Sequence, residues 1–299
     1  MNWAATDWAV QQPSRYWATR MNALIIQTDF GLYDGAVNAM FGVAYSVCPD
    51  LKIYNLMHEI KPYDIWDASY RLTQVLNYWP EGTVFVSVVD PGVGTSRKSV
   101  VAKTKGGRYI VTPNNGTLTH IFEKYGIEEM REIDENVNRL KGSSESYTFH
   151  GRDVYVYTAA RLAAGIICFE EVGPSLDIAE TVLFPTHKPY IENNTIVGII
   201  DVLDVRFGSP WTNIPHEMLK EIDVDYGDKL NVLITHKGDI YYDNDMVVQK
   251  SFGDAKFREE LVFVNSMLNV SFALNQGSFA GRYDVGSGQD WEVRIRKAL

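Results

Sequence analysis

A buried strand that breaks off at an acid constrains this chain more than any other feature. Thr83 to Val89 is a run of apolar and β-branched residues broken only by Ser87, and it gives way at once to Asp90-Pro91-Gly92-Val93-Gly94-Thr95-Ser96-Arg97. Such a run reads as a strand buried on both faces, ended sharply by Pro and Gly. In open α/β sheets ligands sit just beyond the carboxyl ends of such strands. Asp90 and Arg97 therefore either stand where chemistry is done or brace a turn as an ion pair.

The same pattern recurs before and after this stretch. Ala23 to Thr28 reads as a buried strand ending in Asp29-Phe30-Gly31, with Asp34-Gly35 before the apolar stretch Ala36 to Val47. Leu51 to Met57 reads as a second strand. Asp64 can cap a helix whose apolar positions Ile65, Ala68, Leu72, Val75, Leu76 and Trp79 recur at helical spacing. Gly106-Gly107 between two short apolar runs signals a hairpin. Thr112-Pro113-Asn114-Asn115-Gly116 turns into a helix near Leu118 to Tyr125, and Phe149-His150-Gly151-Arg152-Asp153 leads into a helical run through Val154, Tyr157, Ala160 and Leu162. Strands alternating with helices predict a mostly parallel sheet with helices on both faces.

The character changes after Pro174. Phe184 to Pro189 carries two prolines and reads as a linker, and helical periodicity largely disappears beyond it. Short strands follow at Ile196 to Val202, Leu230 to Thr235, Ile240 to Tyr242, Leu261 to Val264, Val270 to Leu274 and Trp291 to Ile295, with a Lys237-Gly238-Asp239 turn. They predict a small antiparallel barrel or sandwich. The expected organisation is an extension over residues 1–21 holding Trp3, Trp8 and Trp17, an α/β domain over 22–184 and an all-β domain over 190–299.

With 299 residues, 45% of them hydrophobic, the chain can bury a sizeable core. Its net charge of -10 argues against a nucleic-acid surface, which needs a basic patch. No stretch approaches the ~20 apolar residues of a membrane span or the core of a signal peptide, so the cytoplasm is expected. Cys48 and Cys168 lie in apolar surroundings without metal-ligand spacing and are expected to be buried thiols.

Polar residues gather at successive strand ends of the first domain: Asp29 and Asp34, Asp90 and Arg97, Asn114 and Asn115, His150 and Asp153. Acids, amides, a His and an Arg converging at one sheet edge suit a pocket for a polar ligand. Two chemistries fit this set. Carboxylates and a histidine could hold Mg²⁺ or Mn²⁺ for a hydrolase. Alternatively, Asp90, Arg97 and His150 could position and polarise a water while Asp29 grips ribose hydroxyls. Arg97 already balances the charge of Asp90, which favours the metal-free arrangement. In the second domain, Asp201 to Ile214 packs Asp204, Phe207, Gly208, Trp211 and Asn213 into what reads as one loop, a set able to stack a purine and meet an ammonium group. Asn265-Ser266 and Asn275-Gln276-Gly277 could hydrogen-bond a base edge.

At these residues the chain resembles the S-adenosyl-L-methionine (SAM) hydroxide adenosyltransferases, relatives of the SAM-dependent fluorinase and chlorinase. The resemblance is carried by Thr28-Asp29-Phe30-Gly31 with Asp34, Val89-Asp90-Pro91-Gly92-Val93-Gly94 with Arg97, Pro113-Asn114-Asn115-Gly116, Phe149-His150-Gly151-Arg152-Asp153, Asp204 with Phe207-Gly208, Trp211-Thr212-Asn213-Ile214, and Asn275-Gln276-Gly277. It implies an α/β domain followed by a β-barrel, and a homotrimer with active sites between subunits. SAM would be the substrate, adenosine and L-methionine the products, with no metal or dissociable cofactor. Asp29 would hold the ribose hydroxyls, with Tyr63 and Phe207 flanking the ligand. Asp34 and Asp204 with Ser266 would hold the methionine part, and the backbone around Gln276 would read the adenine. Asp90, Arg97 and His150 would form a triad tied to water or hydroxide. Val93 and Gly151 stand where the fluorinase has hydroxyl side chains near its halide. Ser209 would be a further substrate-binding residue, standing where relatives commonly have Asn, so it would meet the methionine group with a shorter side chain and no amide.

Overall fold

A computed structural model describes residues 22–298, and the expectation for the extension lies outside the described residues. The chain divides into two compact units between Leu183 and Phe184.

The first unit holds strands β1 (Leu24–Thr28), β2 (Ile53–Met57), β3 (Val84–Val88), β4 (Ser99–Thr104), β5 (Tyr109–Pro113), β6 (Ile127–Glu132) and β7 (Ser175–Leu176). They form one sheet in the order β2-β1-β3-β5-β4-β6-β7. β1 pairs in parallel with β2 and β3, and β3 with β5, while β4 runs antiparallel between β5 and β6. Five strands, β1, β2, β3, β5 and β6, thus point the same way, and the Gly106-Gly107 hairpin inserts the reversed β4.

Both faces of this sheet are covered, for a reason visible in the alternation. Leu24, Ile26, Val84, Val86 and Val88 point into a core shared with helices α1 (Ala36–Val47) and α4 (Tyr157–Ala163). Ile25 and Phe85 point the other way, into a core with α2 (Ile65–Val75) and α3 (Thr119–Lys124). With side chains alternating at a period of two, an apolar run is stable only if helices cover both faces. Asp64 caps α2 by accepting the Asp67 amide at 2.9 Å. β6 escapes the sequence reading, since Ile-Glu-Glu-Met-Arg-Glu offers only two apolar side chains, and its pairing with β4 overrides a weak local preference.

The second unit is a barrel built from β8 (Tyr190–Glu192), β9 (Thr195–Leu203), β10 (Pro210–Pro215), β11 (Lys229–His236), β12 (Asp239–Val248), β13 (Glu260–Val264), β14 (Asn269–Leu274) and β15 (Trp291–Lys297). The order β10-β14-β13-β12-β11-β15-β9 closes on itself because β9 also pairs with β10, and β8 adds to the outside of β9. All neighbours in the ring are antiparallel except β12 and β13, which run parallel over Val247 and Val248. Inward residues such as Ile196, Ile200, Val232, Ile234, Phe272, Val293 and Ile295 fill the interior. Short helices α5 (Met218–Glu221) and α6 (Phe279–Tyr283) are the unit's only α-helices among the described residues. Lys237 and Gly238 both take positive φ, 51° and 92°, as the tight β11–β12 hairpin requires.

Two expectations are corrected. The Asp201–Ile214 stretch is a hairpin rather than one loop: residues 210–215 are β10, and the turn is confined to Asp204–Ser209. The thiols are not buried, for Cys168 is exposed and Cys48 half-buried. Cys168 falls at the start of a surface 3₁₀ turn, which apolar neighbours in sequence do not reveal. Among the described residues no helix is long and apolar enough to cross a membrane.

Candidate active site

Asp29 and Asp90 follow the ends of neighbouring parallel strands, since Thr28 of β1 pairs with Val88 of β3. Asp90 is clamped by Arg97, whose Nε donates to Oδ1 at 2.8 Å and whose Nη2 donates to Oδ2 at 2.5 Å. Both side chains are largely withdrawn from solvent, 5% exposed for the acid and 12% for the base. This bidentate geometry fixes the carboxylate plane. The backbone is fixed as well, because Asn115 donates Nδ2–H to the Val89 carbonyl at 2.9 Å. Gly94 makes the turn possible: its φ is +77°, and a Cβ there would lie 3.2 Å from the Tyr147 carbonyl. The loop therefore packs directly on the segment that leads to His150.

His150 begins a turn of π-helix, Gly151–Val156, which runs into α4. Such wide turns are rare and cluster at functional sites. This one places the Tyr155 ring 6.5 Å from the His150 ring. The Tyr155 hydroxyl donates to Asp90 Oδ2 at 3.3 Å and accepts from Ser99 Oγ, which itself accepts from Arg97 Nη1 at 2.9 Å. Burial pushes the Tyr155 phenol far above its ordinary range, with the Asp90 charge adding to the effect, so it stays a neutral donor.

The His150 imidazole is buried. Its Nε2 faces Glu135 Oε1 at 3.7 Å, and its Nδ1, shielded from solvent, has no hydrogen-bond partner. Burial holds its pKa below the usual histidine value, opposed by Glu135 and Asp90 and reinforced by Arg97 and Arg139. A neutral ring with a free nitrogen beside a fixed carboxylate–guanidinium pair can accept a proton.

Asp29 lies at the same edge. Its Oδ2 accepts the Tyr63 amide at 2.9 Å. Partial burial raises its pKa, and Asp90 adds in the same direction, while the Tyr63 amide opposes them. Tyr63 itself takes φ 70° and is 72% exposed. The strand end is braced from below: Thr28 Oγ1 meets His58 Nδ1 at 2.9 Å, and His58 Nε2 meets Asn55 Oδ1 at 2.7 Å. An acceptor at Nε2 fixes the Nε2–H tautomer, so Thr28 is the donor in the other bond. Asp34 is exposed and accepts the Ala36 amide at 2.9 Å, opening α1. Other polar residues of the strand-end set are structural: Asn114 bonds Glu180 and Val182, and the fully buried Asp153 is paired with Arg152.

In the barrel, Asp204 shapes its own turn by accepting the amides of Arg206 and Phe207 at 3.0 and 3.2 Å. Gly208, at φ +64°, leaves no room for a Cβ against Ser278 Oγ, and its carbonyl accepts the Ala280 amide at 2.9 Å. The Phe207 turn and the segment after Gln276 are thereby stitched together. Phe207 is 67% exposed. Ser209 is buried, whereas Ser266 and Gln276 are exposed, Gln276 at φ 56°. The neighbouring amides are committed inside their turns, Asn265 to Ser271 and to two backbone amides, Asn275 to three carbonyls.

Tyr155, Ser99, Glu135 and Arg139 belong to the first unit's cluster and were not picked out from sequence. Tyr155 sits in an otherwise apolar helical run, where its hydroxyl was the available signal. Glu135 sits in a run of charges, Asp134-Glu135-Asn136, that looks like an ordinary solvated turn. Among the described residues no three His, Cys, Asp or Glu side chains converge as a metal-ligand set.

An α/β unit gathering an acid, a base and a histidine at its strand ends, followed by a closed seven-stranded barrel, defines a two-domain enzyme architecture. The chain belongs to the SAM hydroxide adenosyltransferase family, whose N-terminal domain profile matches residues 24–173 and whose C-terminal domain profile matches residues 198–292. It is 35% identical to the (R)-S-adenosyl-L-methionine hydrolase of Methanocaldococcus jannaschii over 82% of this chain and 84% of that one. It is 28% identical to a fluorinase of Nocardia brasiliensis over 92% of this chain and 98% of that one. A crystal structure of a conserved protein from Thermotoga maritima superimposes with a TM-score of 0.83 at 34% identity, covering 92% of this chain and all of the other.

Proposed function

We propose that this protein hydrolyses SAM to adenosine and L-methionine by in-line attack of water on C5′. The observation that carries the reading is the Asp90–Arg97 clamp beside a buried, neutral His150 whose Nδ1 is unpartnered. It is supported by the relatives named as SAM hydrolases. The sulfonium leaves as a neutral thioether, so the leaving group needs no acid. The nucleophile is the difficult partner. As the water oxygen bonds to C5′, the C5′–S pair returns to sulfur and the water proton passes to His150 Nδ1, then to solvent.

Asp90 and Arg97 hold and orient the water in this reading, and their mutual bonds keep the carboxylate in one plane while charge develops. General-base assistance of this kind contributes ~10²–10⁴-fold. Alignment of water, C5′ and sulfur supplies more, roughly 7–11 kcal/mol at its best. Asp29 holds the ribose hydroxyls, Tyr63 and Phe207 flank the adenosine, Asp34, Asp204 and Ser266 hold the methionine part, and the turn at Gln276 reads the adenine. Ser209, buried at the end of the Asp204 turn, joins the methionine-binding set with a hydroxyl. The working assembly is a homotrimer in which the first unit of one subunit and the barrel of the next share a site. The exposed rings of Tyr63 and Phe207 favour such a partner. The protein acts in the cytoplasm on SAM alone, without metal or dissociable cofactor.

The test is incubation of purified protein with SAM, following products by chromatography between pH 5 and 9. Adenosine and methionine in equal amounts, unaffected by a chelator, are expected. No adenosine at any pH would sink the proposal, and 5′-halo-5′-deoxyadenosine formed with added fluoride or chloride would replace it with the halogenase reading.

A further inference from the structure

Glu135 is the carboxylate that faces His150 Nε2, and nothing in the reaction scheme above employs it. It lies between β6 and the π-helical turn, with its Oε2 tied to Arg139 Nη1 at 2.7 Å. Arg139 is anchored in turn, donating Nη2–H to the carbonyls of Ser143 and Ser146 at 3.3 and 2.7 Å and stacking its guanidinium 4.6 Å from the centre of the Tyr147 ring. The carboxylate is thus held by a well-fixed cation, with its other oxygen facing His150 Nε2 at 3.7 Å. Two such pairs act on His150 electrostatically, Asp90–Arg97 from the loop after β3 and Glu135–Arg139 from the segment after β6. The Tyr147 and Tyr155 rings also face it, with centroids 6.3 and 6.5 Å away.

We propose that Glu135 is a positioning residue for His150, keeping the ring proton on Nε2 so that Nδ1 is the free acceptor. The proposal rests on the reading in which His150 takes the proton of the attacking water. At 3.7 Å the contact is too long for a strong hydrogen bond in the resting state, where the carboxylate charge only biases the ring proton toward Nε2. It becomes an ion pair only when Nδ1 is protonated and the ring turns cationic. Most of its stabilisation is therefore realised as the transition state forms, which raises kcat rather than substrate affinity. The same logic explains why Arg139 matters: it prevents Glu135 from swinging away while leaving Oε1 free.

The experiment uses the full-length protein and the variants Glu135→Gln and Glu135→Ala. Gln keeps the size and an acceptor for Arg139 while removing the charge, so it is the variant expected to fold unchanged. Steady-state kinetics with SAM from pH 5 to 9 are combined with NMR titration of the His150 ring, its signal assigned by difference from His150→Asn. For Glu135→Gln, kcat is expected to fall by the order of 10-fold, within the ~10²–10⁴-fold that general-base catalysis supplies, with KM unchanged. Loss of an opposite charge at this range moves both the acid limb of the rate profile and the His150 titration to lower pH by about one unit. Glu135→Ala moves them the same way and lowers kcat at least as much. An unmoved His150 titration in Glu135→Gln overturns the inference, as does a rise in KM with kcat unchanged. A wild-type protein that releases no adenosine would instead defeat the reading of the reaction, and the NMR titration separates the two failures.

Discussion

The two units build their candidate residues in opposite ways. In the α/β unit, side chain meets side chain: Asp90, Arg97, Ser99 and Tyr155 form a closed hydrogen-bonded set, and Glu135 and Arg139 flank His150. In the barrel, side chains shape backbone: Asp204 Oδ1, Asn265 and Asn275 brace turn amides and carbonyls, while Phe207, Ser266 and Gln276 are left exposed. A buried side-chain network is rigid and tunes proton affinity, which suits the reacting centre. An exposed ring and polar groups on well-fixed turns suit recognition of a ligand. The difference predicts that damage to the first set appears in kcat and damage to the second in KM.

The largest effect is expected from Asp90→Asn. It frees the water and strands the Arg97 guanidinium, so kcat falls by about 10³-fold, comparable to removing a preorganised electrostatic contact. Breaking a buried pair also costs about 3–5 kcal/mol of stability, read as a lower Tm. A rise in KM without loss of kcat would break the comparison at its strongest point. Asp29→Ala tests where the line falls inside the α/β unit itself. With hydrogen bonds to a charged acceptor worth about 1.5–3 kcal/mol, it should raise KM by roughly 10- to 100-fold and spare kcat. Phe207→Ala, on the barrel, should raise KM by only ~5- to 10-fold, the low end of ring-stacking energies. An equal loss of kcat in that variant would mean the barrel takes part in the chemistry.

The pH profile is the gentlest probe. Burial lowers the His150 pKa, so the base remains neutral and kcat/KM holds as pH falls through the ordinary histidine value near 6.5. Activity declines only when pH reaches the lowered value. The sign for stability follows the same shift: the unfolded chain binds the proton first, so stability begins to fall as pH drops through about 6.5. His58, also lowered by burial, contributes in the same direction. A rate profile whose acid limb lies above pH 7 would contradict the neutral-base assignment.

Much of this arrangement is legible in the sequence because punctuation marks it. Runs such as Leu24–Thr28 and Val84–Val88 are mostly apolar, with only Gln27, Thr28 and Ser87 polar, and give way to an acid, which locates Asp29 and Asp90 at a sheet edge. The residues that escape detection lack that contrast. Tyr155 reads as core because its ring is core, and only the π-helical turn aims its hydroxyl at Asp90. Glu135 reads as one surface charge among several until folding brings His150 beside it. β10 was hidden because Pro210 opens it and polar Thr212 and Asn213 occupy its middle. Its inward positions, Pro210, Thr212 and Ile214, alternate with half-exposed ones, and Thr212 Oγ1 donates to the Val270 carbonyl.

The account stands on water as the nucleophile at C5′, and one measurement addresses that step directly. Turnover of SAM in ¹⁸O-enriched water, with mass analysis of both products, should place one ¹⁸O in the 5′-hydroxyl of adenosine and none in methionine. Label in methionine, or a nucleoside without ¹⁸O at C5′, would contradict it.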